Sequence, residues 1–126
     1  MTLATTVADE PYCCNLFYAY DPQSQALIFT SDNTTHHAEM FAQNSQVAAS
    51  IVLETRVVGR VQGLQIEGVA LRAEGEEFEA AKRTYVKKFP YAAVAELHLW
   101  LLRPQTLKLT DNTLGFGRKL IWKADE

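Results

Sequence analysis

The chain has 126 residues, 48% hydrophobic side chains and a net charge of −3, enough sequence for one globular domain with an ordinary composition. It carries neither a basic excess nor a basic run, so nucleic acid and acidic membrane surfaces are not expected partners. No stretch approaches the roughly 20 apolar residues of a membrane helix. No basic segment followed by an apolar run opens the chain, and the expected compartment is the cytoplasm.

Leu3 to Val7 alternates as a first strand, and Ala8-Asp9-Glu10-Pro11 supplies the turn out of it. Tyr12 to Tyr20 is rich in aromatics and reads as a second strand, ended by the turn cluster Asp21-Pro22-Gln23-Ser24. Cys13 and Cys14 are the only cysteines, and neighbours on a strand point to opposite faces, which argues against a mutual disulfide or a shared metal. With Ala26 to Ser31 as a third strand, the first three are expected to form a meander. Asp32-Asn33-Thr34-Thr35 then offers capping residues, with Asn33 or Thr34 the expected cap, ahead of a short helix marked by Ala38, Phe41 and Ala42. Gln46 to Leu53 is a mostly apolar run, consistent with a strand buried on both faces.

Val61 to Glu74 is long for one strand, and Gly63 and Gly68 mark where it can bend or bulge. Gly75-Glu76-Glu77 opens an amphipathic helix with Phe78, Ala81, Tyr85 and Phe89 along one stripe. Its first turn is acidic and Lys87 and Lys88 lie in its last, as the helix dipole favours. Beyond Pro90, Tyr91 to Glu96 adds a further helical turn. His98 to Leu102 and Gln105 to Thr110 read as the last strands, split by Pro104. Strands without a βαβ rhythm predict a mainly β fold, an antiparallel barrel with short helices at its rims. The interior of so small a barrel is filled by side chains, so a ligand belongs in an outer groove or between subunits.

Three stretches carry chemistry. Ser31 to His37 brings a strand to a helix N-terminus, where free N–H groups and the dipole attract anions and the hydroxyls of Ser31, Thr34 and Thr35 add donors. The plainer alternative is a capped helix with two solvated histidines. Adjacent His36 and His37 point about 100° apart on a helix, a poor bidentate pair for a metal. Gln62 and Gln65, in Gln62-Gly63-Leu64-Gln65-Ile66-Glu67-Gly68, offer amides to a ligand or else face solvent. The closing run Thr110-Asp111-Asn112-Thr113-Leu114-Gly115-Phe116-Gly117-Arg118-Lys119-Leu120-Ile121-Trp122 combines turn residues, two flexible glycines, two cations and an aromatic anchor, which reads as a docked segment that helps build a site. His98 and Trp100 share a strand face, with Trp100 expected in packing.

That closing run, together with Ile66-Glu67-Gly68, resembles the YhbP-like family, a branch of the pyridoxamine 5'-phosphate oxidase-like split-barrel flavoproteins. The resemblance implies an antiparallel split β-barrel over residues 1–126, a homodimer, and FMN bound between protomers. It assigns Ser31, Thr35, His36 and His37 to the flavin phosphate, Gln65 and Asn15 to the ring, and Arg118 and Trp122 to closure of the site, Arg118 by reaching the partner's flavin. Two departures stand out. Histidines replace the Arg-Lys pair of the phosphate motif, which weakens its charge near neutral pH, and Gln65 replaces the second arginine of the Arg-Gln-Val-Arg-Ile-Glu-Gly strand. The chain also begins directly on a strand, whereas family members usually carry a helix first, so a truncated N-terminus is expected. No catalytic residue or metal ligand is implied. A flavin-dependent oxidoreductase of unspecified substrate is the leading expectation. The alternatives are a non-catalytic module for haem or another flavin-like ligand, and a structural dimer whose cofactor site has decayed.

Overall fold

The computed structural model describes residues 1–125. Its spine is the antiparallel pair β6 (Gln62–Arg72) and β7 (Leu99–Asp111), in register from Gln62 opposite Asp111 to Arg72 opposite Trp100. The sequence suggests a break at Pro104, yet β7 is continuous. The register shifts between Glu67 and Gly68, so that Gln105 is an extra residue on β7, and a proline without an N–H is tolerated at such a bulge. Gly68 makes the bulge possible, because a Cβ there would collide with the Arg103 carbonyl oxygen.

The remaining strands are β1 (Thr2–Val7), β2 (Glu10–Asn15), β3 (Ala19–Asp21), β4 (Ala26–Thr30), β5 (Gln46–Val52) and β8 (Lys119–Lys123). All pairings are antiparallel, in the order β2-β1-β5-β6-β7-β4-β3. β7 has two partners on its second edge: β4 along Leu99 to Leu102, then β8 along Thr106 to Thr110. The expected meander does not form. β1 and β2 close a hairpin through Ala8 and Asp9, both with positive φ as a two-residue hairpin turn requires. The chain then leaves the sheet at Leu16 to Tyr18 and returns as β3 on the opposite flank, beside β4. Met1 fixes the departure: its ammonium donates to the Leu16 carbonyl at 2.9 Å and its own carbonyl accepts the Leu16 N–H at 2.9 Å.

β4 alternates between two buried layers, which explains its nearly unbroken apolar run. Leu27 and Phe29 join Leu3, Phe41, Ile66, Trp100 and Leu102 in the barrel core, beneath helix α1 (His36–Gln43). Ala26 and Ile28 join Tyr85, Leu99 and Leu101 beneath helix α2 (Gly75–Lys88) and the 3-10 turn Pro90–Val94. Each fully buried side chain of this size contributes about 1.5–3 kcal/mol relative to exposure. The α2 stripe falls as its spacing predicts, with Tyr85 and Phe89 rings 4.9 Å apart. Lys88 Nζ donates to the Tyr18 carbonyl at 2.6 Å and lies 4.5 Å from the Tyr18 ring centroid, which ties α2 to the β2–β3 crossing. No helix is long and apolar enough to cross a membrane among the described residues.

Gly68→Ala is expected to lower unfolding stability by about 1–3 kcal/mol, the cost of overpacking against a backbone that cannot retreat. An unchanged urea midpoint would show that the β6–β7 approach has slack.

Candidate functional site

At the end of β4 the chain turns through Asp32, whose carboxylate accepts the Thr34 N–H at 2.9 Å and the Thr34 hydroxyl at 2.8 Å. Those two bonds, the backbone one first, hold the Asp32 carboxyl below the usual carboxylate range. The α1 cap is Thr35, not Asn33 or Thr34. Its Oγ1 accepts the Ala38 N–H at 3.3 Å and donates to the Asp32 carbonyl at 2.8 Å. The backbone N–H groups of His36 and His37 have no partner among the described residues. They are the free donors of the helix start.

Ser31 is buried, and its Oγ lies 2.9 Å from His37 Nε2. The Ser31 carbonyl accepts the Trp100 indole N–H at 3.2 Å. His37 packs at 5.6 Å from the Phe41 ring, and burial, then the neighbouring His36, pushes its pKa below the ordinary histidine value. His36 instead points outward with its ring edge-on to Tyr12 at 4.7 Å. The junction therefore gathers Ser31, Thr35, His36 and His37, as the sequence predicts. It gathers them with a His37 whose pKa burial lowers and with an internal carboxylate already using the Thr34 donors.

Asn15 and Gln65 lie elsewhere, on the outer face of the sheet. The registers place Asn15, Thr2, Ser50, Gln65, Lys108 and Ile121 in one row across six strands. Asn15 Oδ1 accepts the Thr2 hydroxyl at 2.7 Å, and Gln65 stands three strands away, roughly 14 Å at ~4.8 Å per strand. Small side chains between them (Ala4, Ala48, Ser50) leave a shallow groove of about 410 Å³ floored by the sheet. The two glutamines, equivalent by sequence, separate here: Gln65 is open, whereas Gln62 Nε2 lies 3.3 Å from both Asp111 oxygens.

Asp111 organises the closing segment. It accepts the Thr113 N–H at 2.9 Å and the Thr113 hydroxyl at 2.5 Å, and with Gln62 these hold its carboxyl low. Asn112 donates to the Val58 carbonyl at 2.8 Å and accepts the Gly117 N–H at 2.9 Å, while Gly115 and Gly117 take φ of 133° and 70°. These are conformations that favour glycine. The Asp-x-Thr spacing at 111–113 is a recognisable Asx-turn signal, and it is the sequence clue to Asp111. β8 pairs with β7, but its side chains are exposed, so the segment is anchored by backbone and not by burial. Trp122 sits opposite Leu107, on the face away from the Asn15–Gln65 row, beside Tyr20, Gln25 and Pro104. Arg118 is exposed at the far end of the sheet. Its neighbour Lys119 is level with Gly63, whereas Tyr12, which touches His36, is level with Gly68. Five residues, roughly 17 Å along the strands, separate the two levels.

This topology is the split barrel of pyridoxamine 5'-phosphate oxidase-like proteins. A haem-binding protein from Mycobacterium smegmatis superposes with a TM-score of 0.79 at 22% identity, over 97% of this chain and 51% of that one, so the chain spans about half its length. A pyridoxamine 5'-phosphate oxidase-related, FMN-binding protein from Nostoc punctiforme superposes with a TM-score of 0.68 at 11% identity, over 99% of this chain and 80% of that one. The chain belongs to the UPF0306 (YhbP) family: it is 38% identical to a UPF0306 protein of Klebsiella pneumoniae over 99% of its own length and 85% of the relative's. It is likewise 41% identical to YhbP of Salmonella schwarzengrund over 92% of this chain and 79% of that one. No family model matches the chain.

His37 yields a pH test. Its folded pKa lies below the unfolded value of ~6.5, so as pH falls the unfolded chain takes up the proton first. Its contribution to stability is then complete above about pH 7 and fades as pH drops through ~6.5 towards the folded value. An NMR titration should place the His37 midpoint below 6.5, and a midpoint at or above that would contradict the burial argument.

Proposed function

We propose that the protein is a flavin-binding homodimer that holds FMN between its two copies. One observation carries this reading: the candidate residues occupy separate surfaces of one protomer, with His36 and Arg118 at opposite strand levels and Trp122 on the face opposite Gln65. A ligand that uses more than one of these surfaces requires a second copy to bring them together. The FMN-binding Nostoc punctiforme protein of the same fold supports the choice of cofactor.

The residues fit a flavin phosphate in donors and less well in fixed charge. The free N–H groups of His36 and His37 and the Ser31 hydroxyl would hold the phosphate, the Thr35 hydroxyl would join them by giving up its bond to the Asp32 carbonyl, and Arg118 of the second copy would supply a permanent cation. Asn15 and the open amide of Gln65 would meet the polar ring edge, with Trp122 closing the site. Bound flavin supplies hydride and electron transfer, and the protein supplies placement and electrostatics. A flavin-dependent oxidoreductase follows if a substrate reaches the ring, and fold alone carries no substrate from one member to another. We place the protein in the cytoplasm and treat residues 1–126 as one FMN-binding domain.

A second reading, a haem module without turnover, is favoured by the exposed imidazole of His36 and supported by the Mycobacterium smegmatis haem-binding protein. A structural dimer with a decayed site draws its support from Asp32, a carboxylate seated where an anion would bind.

Comparing FMN with riboflavin separates the parts. By flavin fluorescence quenching, FMN should bind at least several-fold more tightly than riboflavin. His37→Ala, which removes the imidazole that positions the Ser31 hydroxyl, should lower FMN affinity at least several-fold and leave riboflavin affinity unchanged. Equal affinities in the parent protein would show that the α1 N-terminus holds no phosphate. Haem binding alone would favour the second reading.

A further inference from the structure

A cleft of about 340 Å³ opens between α1 and the ends of β6 and β7, lined by Asn33, Ala38, Glu39, Ala42, Gln43, Arg72 and Trp100. That volume is at the small end of ligand pockets, which run from roughly 300 to 1,000 Å³. None of the residues assigned to the flavin lines it.

Its chemistry is unusually complete for so small a space. Arg72 and Glu39 place opposite charges on one cleft, and neither is in an ion pair among the described residues. Gln43 uses its amide only in a long 3.4 Å contact to the Glu39 carbonyl. Trp100 is held by its indole N–H on the Ser31 carbonyl, which fixes the ring as an apolar wall.

Asn33 supplies the sharpest observation: its Oδ1 is buried and has no hydrogen-bond partner. The neighbours explain why that atom is left over. Glu96 lies 4.0 Å from His98 Nε2, and the His98 tautomer with its proton there leaves Nδ1 an acceptor. Asn33 Nδ2 lies 3.4 Å from Nδ1, so the amide turns its NH₂ to the histidine and its oxygen away. An orphaned buried acceptor costs about 1–3 kcal/mol, and a donor brought by a ligand would relieve that cost after a small movement of Asn33.

We propose that this cleft binds a small zwitterion of the α-amino-acid class, its carboxylate on Arg72 and its ammonium on Glu39, with an N–H directed to Asn33 Oδ1 and the side chain against Trp100. Arg pairs with a carboxylate in bidentate fashion, and Glu39 accepts from an ammonium. Requiring both charges at once excludes simple anions and simple amines. The proposal stands apart from the flavin reading.

The test uses the full chain in a Trp122→Phe background, so that Trp100 is the only tryptophan and its fluorescence reports the cleft. Glycine, L-alanine, L-leucine, L-glutamate and L-lysine are titrated individually, with acetate and methylammonium as single-charge controls. Saturable binding of at least one amino acid is expected, with the two controls at least tenfold weaker. Arg72→Gln and Glu39→Gln should each weaken that amino acid at least tenfold while leaving the thermal midpoint unchanged, since both side chains are exposed. Absence of saturable binding by every amino acid into the tens of millimolar would overturn the proposal. So would acetate or methylammonium binding as tightly as the best amino acid, or binding indifferent to both substitutions.

Discussion

The close approach of β6 to β7 at Gly68 is the contact on which the rest of the architecture depends. It lets a thirteen-residue strand run past Pro104 without breaking, so that one strand carries β4 along its first part and β8 along its second. The first part sits over the α2 layer through Leu99 and Leu101 and supplies the barrel core through Trp100 and Leu102. The second part carries the closing segment. Were β7 two independent strands, the register linking Gln65 to Lys108 and Ile121 would be lost, and with it the flat outer face.

A second theme is how the chain handles charge at the α1 junction. The helix start presents two free N–H groups, but the nearby donors of Thr34 are satisfied internally by Asp32. Burial against Phe41 and then the neighbouring His36 push the His37 pKa below the ordinary histidine value. A phosphate there would meet dipoles and hydroxyls in place of permanent cations. Arg118 and Lys119 are exposed on the closing segment at the other strand level, so within one protomer they bring no charge to the junction.

Much of the fold is legible in the residues, and the failures have identifiable causes. The α2 stripe of Phe78, Ala81, Tyr85 and Phe89 forms as written because its 3.6-residue period has no competing pattern. Of the two glycines that mark a possible bend or bulge in β6, Gly68 lies opposite the bulge on β7, whereas Gly63 pairs in regular register. The break between β2 and β3 is not visible, since Leu16, Phe17 and Tyr18 suit a strand as well as a crossover, and the Leu16 N–H bond to the Met1 carbonyl that marks it is a long-range contact. Pro104 misled in the opposite sense, because the extra residue that absorbs it is defined only by the partner strand. Of the candidate site, the grouping of Ser31, Thr35, His36 and His37 was readable from proximity along the chain. The different fates of Gln62 and Gln65 were not, because strand parity assigns a face only after the register is known.

The most direct test of the central claim is size-exclusion chromatography of the protein mixed with FMN, with absorbance followed at both protein and flavin wavelengths. Flavin bands travelling with a dimer-sized peak at micromolar protein, and lost with a monomeric fraction, are the predicted result. Flavin co-eluting with a monomer, or a dimer that emerges colourless, would contradict a cofactor site shared between two copies.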